Sequence, residues 1–273
     1  MKIIANHAHL MPENSWKPGD AGLLLKYLDY CGIDQAVVFP PFACQYGNNL
    51  EQANRWALGQ VRQHPDRFLP AGTLFPLAPD AINLLRMLAQ EGVKVVKIHP
   101  SIDLHDVGDP ACRRFYAEAE RLNLVLDYHT GPHGTRLSLA TPEKFDDLAW
   151  DFPNLRLVLE HLGGRAYFEM MLAIIASHKL REQDNLPQVY AGLTSVLDRQ
   201  VNKAWYLGAE RIVDAIEIVG AHKFIFGLDF PWNDMECGRR VIQLIQGFNI
   251  PQEDKEKILG GNLLRMLGEP VKV

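Results

Sequence analysis

Eight short apolar runs recur along the chain, and each ends in glycine, proline or a polar residue. The longer segments between them carry apolar residues at spacings of three and four, as helices packed on one face do. Strands and helices that alternate in this way predict a parallel sheet. Eight such units in about 250 residues match the number and size of a closed (β/α)8 barrel. The runs are KIIANHAH, QAVVFPP, FLPAGTLFP, KVVKIHP, LVLDYHTG, RLVLEHLGG, QVYAGLTSV and KFIFGLDFP.

An open, doubly wound sheet is the competing architecture. It would carry a glycine-rich phosphate loop after its first strand. Neither G-x-G-x-x-G nor G-x-x-x-x-G-K-[ST] occurs in the chain. Since no linker-like or low-complexity stretch divides the sequence, it predicts a single α/β domain over residues 1–273, a (β/α)8 TIM barrel. Two C-terminal helices, CGRRVIQLIQGF and DKEKILGGNLLRMLG, are expected to close it.

The charge pattern excludes partners that need a basic surface. The chain has 28 lysines and arginines and 33 aspartates and glutamates, mixed along its length, for a formal net charge of −5. This leaves no basic stripe for nucleic acid or an anionic membrane, and no apolar window is long enough to span a membrane. Four widely spaced cysteines without a C-x-x-C motif favour a reduced, cytoplasmic compartment. We therefore expect a small-molecule substrate.

Polar residues concentrate at the ends of the predicted strands. The active site of a TIM barrel lies at the C-terminal ends of its strands, which form the shared concave face with the following loops. Five of the ten histidines stand there. Four others, His64, His105, His178 and His222, are expected at the surface. The strand-end residues are His7, His9, Lys97, His99, His129, Glu160, His161 and Asp229.

Four of these residues have the chemistry of a metal site. His7 and His9 stand two apart on one strand, so their side chains share a face. His129 on the fifth strand and Asp229 on the eighth approach the same point of the ring. Three imidazoles and a carboxylate suit zinc or another borderline divalent ion. Each residue alone could equally be structural, a hydrogen-bonded histidine or a capping aspartate, but their coincidence on separate strands favours a metal.

Six motifs resemble, in order, those of the amidohydrolase superfamily: N-H-A-H, VVKIHP, LDYHTG, LVLEHLGG, FIFGLDFPW and the tail KILGGNLLRML. The resemblance is to its amidohydrolase-related group (amidohydrolase 2) of TIM-barrel metal-dependent hydrolases. That group also includes aminocarboxymuconate-semialdehyde-type decarboxylases. The match covers nearly the whole chain.

The resemblance implies a role for each motif residue. One divalent ion, with zinc favoured over manganese or another metal, would be held by His7, His9, His129 and Asp229. His161 would be a catalytic acid/base or substrate-polarising residue, and Asp229 would also be catalytic.

Two positions near this motif set call for separate expectations. Asn6 stands where an aspartate often precedes His-x-His in the family, and it is expected on the opposite strand face. Lys97 lies two residues before His99, deeper in the barrel, which favours a mononuclear site over a lysine-bridged pair of metals. The residues expected to bind substrate are Lys97, His99, Arg165 and Trp232.

Three functions remain open on the sequence. The first is a hydrolase in which metal-bound hydroxide attacks an ester, lactone or amide of a small, carboxylate-bearing substrate, while Asp229 accepts a proton and His161 stabilises the oxyanion. The alternative is a metal-dependent, non-oxidative decarboxylase of a small unsaturated or aromatic acid. The third is a catalytically silent barrel that binds a small acid or a protein. Apolar residues of the terminal LLRML segment could support a homodimer or pack beneath the barrel.

Overall fold

Nine parallel strands form one sheet in the computed structural model, which describes residues 2–178 and 186–268. They are β1 Ile4–His9, β2 Gln35–Phe39, β3 Phe68–Thr73, β4 Val95–Ile98, β5 Val125–His129, β6 Arg156–Glu160, β7 Val189–Gly192, β8 Phe224–Ile225 and β9 Gly227–Phe230. Their order is β8-β7-β6-β5-β4-β3-β2-β1-β9. β8 and β9 are the two halves of the eighth predicted strand, interrupted at Phe226. Because β7 pairs with β8 and β1 pairs with β9, the interrupted strand brings the two edges of the sheet together.

Helices follow the strands around the outside of the barrel. They are α1 Ala21–Cys31, α2 Leu50–Gln63, α3 Ala81–Gln90, α4 Pro100–Asp103, α5 Arg113–Arg121, α6 Pro142–Asp151, α7 Gly164–Ser177, α8 Ala209–Val219, α9 Met235–Gln246, α10 Gln252–Glu256 and α11 Asn262–Leu267. Local sequence sets their ends: the Asp20 side chain accepts from Leu23 N at the start of α1, and Gly32 ends that helix in the left-handed region. The predicted (β/α)8 TIM barrel is confirmed. The prediction of one domain over 1–273 also includes residues 1, 179–185 and 269–273, which lie outside the described residues.

The barrel interior changes from apolar to polar along its axis. Alternate side chains of a strand point to the same side, so Val125, Asp127 and His129 of β5 all face inward. Val125 belongs to an apolar floor, Asp127 to a buried polar layer, and His129 to the mouth. β4 repeats this order with Val95 in the floor and Lys97 in the polar layer. Burial of the apolar floor stabilises the fold, and the polar side chains at the mouth are available for chemistry.

The terminal helix α11 completes the apolar floor. Leu263 and Met266 are buried in the same cluster as the first inward-facing residues of the strands. Of the two roles open to the LLRML segment, packing beneath the barrel is the one observed. These side chains therefore offer no apolar surface to a second copy, and a homodimer would have to use another face.

The four cysteines are free thiols, as their spacing indicates. Cys112 and Cys237 are buried, Cys31 is half-buried and Cys44 is exposed. Across residues 2–178 and 186–268, no helix is both long and apolar enough to cross a membrane. The cytoplasmic location stays a prediction.

Two histidines expected at the surface are buried instead. His105 is 2% exposed and His178 is fully buried, whereas His64 and His222 are half-buried. His105 follows α4 in a loop that folds back onto the barrel, where its ring lies 5.6 Å from that of Phe75. The expectation was wrong for His105 because a loop position gives no periodicity from which burial can be judged, and for His178 because the end of α7 packs against Asp146 of α6.

The burial of His105 predicts a loss of stability in acid. Burial lowers the pKa of His105 from its ordinary value of 6.5 to about 4, against opposing contributions from Asp106 and Asp109. The unfolded chain then takes up a proton between pH 6.5 and pH 4 that the folded chain does not, so the free energy of unfolding falls as pH falls through this window. At pH 5 the loss from this one group is about 2 kcal/mol.

Thermal unfolding of wild type and His105→Gln at pH 7 and pH 5 measures this effect. The melting temperature of the variant is expected to fall less between the two pH values than that of wild type. Equal falls in both proteins would show that His105 does not carry the pH dependence.

Candidate active site

A cavity of about 440 Å³ opens at the C-terminal ends of the strands. A wider groove of about 620 Å³ lies on the outer surface between α8 and α9, but it is lined by none of the predicted site residues. We assign the site to the mouth of the barrel because the titratable side chains converge there. The predicted residues that line it are His7, His9, Lys97, His99, His129, His161, Asp229 and Trp232.

Four residues at the mouth hold a left-handed backbone conformation. Their φ angles are 66° at His7, 69° at His161, 63° at Ser195 and 59° at Asp229. Residues other than glycine adopt this region rarely, and such residues cluster at functional sites. His7 and Asp229 lie within the last three residues of β1 and β9, whereas His161 and Ser195 follow the ends of β6 and β7. The strand ends are therefore bent locally in ways that aim side chains into the cavity.

In β1 the bend is a register shift between Ala5 and Ala8, the sign of a β-bulge. The extra residue breaks the alternation of side chains, so Asn6 points inward together with His7. Its Nδ2 donates to Oδ2 of Asp127 at 2.8 Å and to Oε2 of Glu160 at 3.1 Å. The prediction that Asn6 faces away from the site was wrong, because it assumed a regular strand.

His7, His9 and Asp229 bring three ligand atoms together. Nε2 of His7 lies 3.3 Å from Nε2 of His9 and 3.8 Å from Oδ1 of Asp229. Ligands about 2.0–2.1 Å from a tetrahedral zinc ion stand about 3.3–3.4 Å from one another. The two imidazoles thus have the spacing that a shared ion requires, and the carboxylate lies slightly beyond it. The donor set fits a divalent metal.

Protonation of this cluster is set by burial and by neighbouring charges. Burial and the Lys97 ammonium lower the pKa of His7, but Glu160 and Asp127 outweigh them and raise it to about 9. Burial, together with His7, holds the pKa of His9 well below its usual range. With His7 charged and His9 neutral, Nε2 of His7 donates a hydrogen bond to Nε2 of His9. A divalent ion held by His7 and His9 would take the place of that proton.

Asp229 is oriented by the loops after β7 and β9. Its Oδ2 accepts from Oγ of Ser195 at 3.0 Å, and Ser195 Oγ in turn accepts from Nδ2 of Asn233 at 3.0 Å. Burial raises the pKa of Asp229, although His7 and the hydrogen bond from Ser195 oppose that shift. The hydrogen bonds leave Oδ1 on the side of the imidazoles. Ser195 and Asn233 were not predicted from the sequence, although the Thr-Ser pair at the end of the seventh strand was a signal for them.

His129, the fourth predicted ligand, lies outside the His7–His9–Asp229 group. Its ring stacks on that of His99, with centroids 3.8 Å apart and planes 12° apart, and His133 meets both rings edge-on. A metal lies in the plane of the imidazole that binds it, about 2.0–2.1 Å from nitrogen, so two stacked rings cannot both bind one ion. Nε2 of His129 is buried without a hydrogen-bond partner among the described residues. That orphaned atom keeps a ligand role open to His129, and the role stays a prediction.

Lys97, predicted to bind substrate, lines the bottom of the cavity. Its Nζ donates to Oδ1 of Asp127 at 2.8 Å, and its side chain is 1% exposed. Burial raises the pKa of Asp127, but Lys97 and His7 outweigh burial and keep it well below its usual range. The lysine therefore neutralises a buried carboxylate, and its ammonium is not free to take a substrate carboxylate.

His161 presents one defined face to the cavity. Nδ1 of His161 lies 2.9 Å from the carbonyl oxygen of Thr194, which can only accept, so Nδ1 carries the proton. Burial, with His7 and Lys97, holds the pKa of His161 well below its usual range. The ring is neutral and Nε2 carries a lone pair. In this state His161 accepts a proton or a hydrogen bond from a substrate and does not donate one.

Aromatic rings form the walls of the cavity. Phe42 and Trp232 flank the His9 ring, with centroids 5.3 Å and 5.2 Å away. Trp205 lies 4.2 Å from the His161 ring and 4.9 Å from that of His129. Trp205 was not predicted, because it stands in the loop after β7, whose strand end carries no histidine or charge to mark it. The walls suit a flat, unsaturated substrate.

Arg165 does not take part in this cavity. It stands in the first turn of α7 with an exposed side chain, outside the set of described residues that line the mouth. Gly163 and Gly164 precede it with φ angles of 70° and 57°, and this turn carries the chain out of the mouth. The predicted role of Arg165 in holding a substrate carboxylate therefore has no support from its position, since nearness in sequence to a strand end did not fix the direction of its side chain.

Comparison with known proteins shows which family the chain matches and which solved structures it is similar to. A family model described as Amidohydrolase matches residues 4–268. An uncharacterized TIM-barrel protein from Bordetella bronchiseptica has 19% identity and a TM-score of 0.76, over 98% of this chain and 99% of its own. The 5-carboxyvanillate decarboxylase of Sphingomonas paucimobilis has 16% identity and a TM-score of 0.74, over 98% and 99%.

A third similar structure is the dihydroxybenzoic acid decarboxylase of Polaromonas sp. JS666, with bound manganese and the inhibitor 2-nitroresorcinol. It has 14% identity and a TM-score of 0.69, over 98% of this chain and 97% of its own. At these identities the structural likeness establishes the TIM-barrel fold. The resemblance to the amidohydrolase 2 group is confirmed by the family match.

Proposed function

Because the chain belongs to the amidohydrolase 2 family of metal-dependent TIM-barrel enzymes, we propose that it is a non-oxidative carboxy-lyase acting on a small, flat monocarboxylic acid. One observation carries the proposal: an aromatic-walled cavity opens directly over the His7–His9–Asp229 group. Two of the similar structures are described as decarboxylases of aromatic acids, which supports the same class.

The substrate class follows from the charges of the cavity. Lys97 is the one lysine or arginine among the described residues that line it, and its ammonium is engaged by Asp127. One carboxylate can be accepted by a divalent ion at the histidines, but a second would meet no free cation. Phe42, Trp205 and Trp232 exclude water from the faces of a flat ring. A monocarboxylic aromatic or conjugated acid fits these conditions.

The reaction requires a metal ion, a hydrogen-bond acceptor that orients the substrate, and a proton donor. A bound divalent ion would supply a Lewis acid that holds the substrate carboxylate and a neighbouring oxygen. The donor set of two imidazoles and a carboxylate suits zinc, and manganese is a second candidate. The bond between the carboxyl carbon and its neighbour breaks, carbon dioxide leaves, and the electron pair stays on the remaining carbon. That carbon then takes up a proton, so one proton is consumed for each carbon dioxide released.

The chain's own residues divide the remaining work. Nε2 of His161 accepts a hydrogen bond from a substrate hydroxyl and so fixes the orientation of the ring. Asp229 would hold the ion through Oδ1, and its Oδ2, which accepts from Oγ of Ser195, is placed to pass a proton to the substrate carbon. Ser195 holds Oδ2 and thereby keeps Oδ1 on the side of the two imidazoles.

Hydrolysis of an ester, lactone or amide is the second candidate. It is favoured by the position of Asp229 Oδ1 beside the two imidazoles, where a carboxylate can take a proton from water. It is disfavoured by His161, whose neutral ring presents a lone pair to the cavity and could stabilise an oxyanion only after gaining a proton. For that reason we place decarboxylation first.

A substrate panel separates the two reactions. Purified protein supplied with zinc or manganese is incubated with aromatic and conjugated monocarboxylic acids, and in parallel with esters, lactones and amides. We expect carbon dioxide release equal to the loss of an acid, and no hydrolysis. The control Arg165→Ala should retain the wild-type rate within about twofold, since surface substitutions rarely act at a distance. Hydrolysis without carbon dioxide release would reject the lyase in favour of the hydrolase.

A further inference from the structure

Two buried carboxylates lie directly beneath His7. Nδ1 of His7 stands 3.1 Å from Oε2 of Glu160 and 3.6 Å from Oδ1 of Asp127, and neither carboxylate side chain is exposed. Nε2 on the other side of the ring faces His9 and Asp229. The carboxylates therefore contact the nitrogen that does not face the proposed ion.

We infer that Glu160 and Asp127 are positioning residues, which hold Nδ1 of the His7 ring on their side and so leave Nε2 for the metal. The inference rests on the metal centre of the proposed function. An imidazole can offer either nitrogen as a ligand, and the partner of the other nitrogen decides which one it offers. His7 depends on such a partner because its bent backbone places it where the strand alternation no longer fixes its direction.

Glu160 is fixed by N–H donors on both oxygens. Oε1 accepts from the backbone N–H of Thr194 at 3.2 Å and of His161 at 3.3 Å, while Oε2 accepts from Nδ2 of Asn6 at 3.1 Å. A carboxylate satisfies this arrangement because it only accepts. An amide at the same position would turn its NH2 group towards a donor on one side or the other. The N–H donors around Glu160 therefore require a carboxylate at this position and fix its orientation.

Asn6 joins the two carboxylates into one unit. The same Nδ2 that donates to Glu160 also donates to Oδ2 of Asp127 at 2.8 Å, and Lys97 donates to the other oxygen of Asp127 at 2.8 Å. The unit rests on two adjacent strands, since β5 and β6 are paired from end to end. Asn6 and Lys97 therefore hold the two carboxylates in place beneath His7 through hydrogen bonds.

Gly192 on β7 leaves the space that Glu160 occupies. A Cβ atom at this position would lie 2.2 Å from Oε1 of Glu160. Since the overlap is with the carboxylate of Glu160 and not with backbone, Gly192→Ala would push that carboxylate away from its N–H donors. This substitution moves Glu160 without changing any charge, whereas Glu160→Gln removes the charge and disturbs the hydrogen bonds.

Cobalt binding tests the inference apart from activity. Metal-free protein is titrated with Co²⁺, and affinity is followed by calorimetry while the ligand field is followed by visible absorption. We expect both Glu160→Gln and Gly192→Ala to bind Co²⁺ about 10–100-fold more weakly than wild type, with a changed spectrum, as loss of such partners does elsewhere. The control is Glu118→Gln on α5, which breaks ion pairs with Arg86 and Arg121 outside the barrel and should leave Co²⁺ binding unchanged.

Each result decides between the positioning role and its alternatives. If both variants fold and bind Co²⁺ like wild type, the positioning role is overturned and the metal centre stands. A loss confined to Glu160→Gln also overturns it, because charge alone would then explain the effect. If Glu160→Gln does not fold, Gly192→Ala decides the question. A wild-type protein that binds no Co²⁺ overturns the metal centre and this inference together.

Discussion

Replacing His7 and His9 together by alanine is expected to abolish divalent metal binding and turnover. The two Nε2 atoms stand 3.3 Å apart, at the spacing of neighbouring ligands on one ion, and Asp229 would be left as the one member of the His7–His9–Asp229 group. A single carboxylate cannot replace a set of three ligands. We expect metal affinity to fall by more than about a thousandfold, given that partners of a ligand alone account for about 10–100-fold. Metal content after dialysis and carbon dioxide release measure the two losses.

The matched control replaces the other histidines of the same cavity. His99→Ala with His133→Ala removes two imidazoles that line the mouth but lie outside the His7–His9–Asp229 group. This variant should keep its metal, although it can lose affinity for substrate. If the control loses its metal and the His7→Ala, His9→Ala variant keeps it, the ion binds at His99 and His133, which contradicts our proposal.

Asn6→Asp is expected to destabilise the fold by about 3–5 kcal/mol, the range for leaving a buried charge without compensation. The new carboxylate would stand where Nδ2 now donates to Asp127 at 2.8 Å and to Glu160 at 3.1 Å, so two hydrogen bonds become two repulsive contacts. All three side chains are fully buried, and water cannot screen them. Urea unfolding of wild type and Asn6→Asp at pH 7.5 measures this change in the free energy of unfolding.

A second substitution tests whether the number of buried carboxylates causes the loss of stability. Asn6→Asp combined with Glu160→Gln restores two carboxylates and one amide in the same layer. We expect this double variant to recover at least half of the lost stability. If Asn6→Asp is as stable as wild type, or if Glu160→Gln makes it worse, the buried carboxylate pair does not control the layer.

The sequence predicts the barrel because its signal is repeated. Each strand is short, apolar and followed by a helical period, and eight repetitions leave few folds to consider. The spacing of residues along β4 also predicts depth correctly, because Lys97, two residues before His99, lies in the buried polar layer beneath the mouth. Regular secondary structure carries this information, since every second side chain must face the same way.

The errors arise where the backbone is irregular. Asn6 was placed on the wrong face because the bulge in β1 cannot be seen in the pattern of apolar residues. Arg165 was expected in the cavity although two glycines turn the chain away before it. Trp205 was missed because its loop reaches the mouth from a strand whose end carries no histidine or charged residue. In each case a turn or bulge, and not the residue type, decides where the side chain goes.

An anomalous difference map from crystals of metal-free protein soaked with Co²⁺ or Mn²⁺ tests the central claim most directly. We expect one peak in the cavity, about 2.0–2.2 Å from Nε2 of His7, from Nε2 of His9 and from Oδ1 of Asp229. The map would also show whether His129 leaves its stack with His99 to become a fourth ligand. A cavity without a peak at saturating metal, or a peak beside His99 and His133 alone, would contradict the metal centre and the chemistry proposed for it.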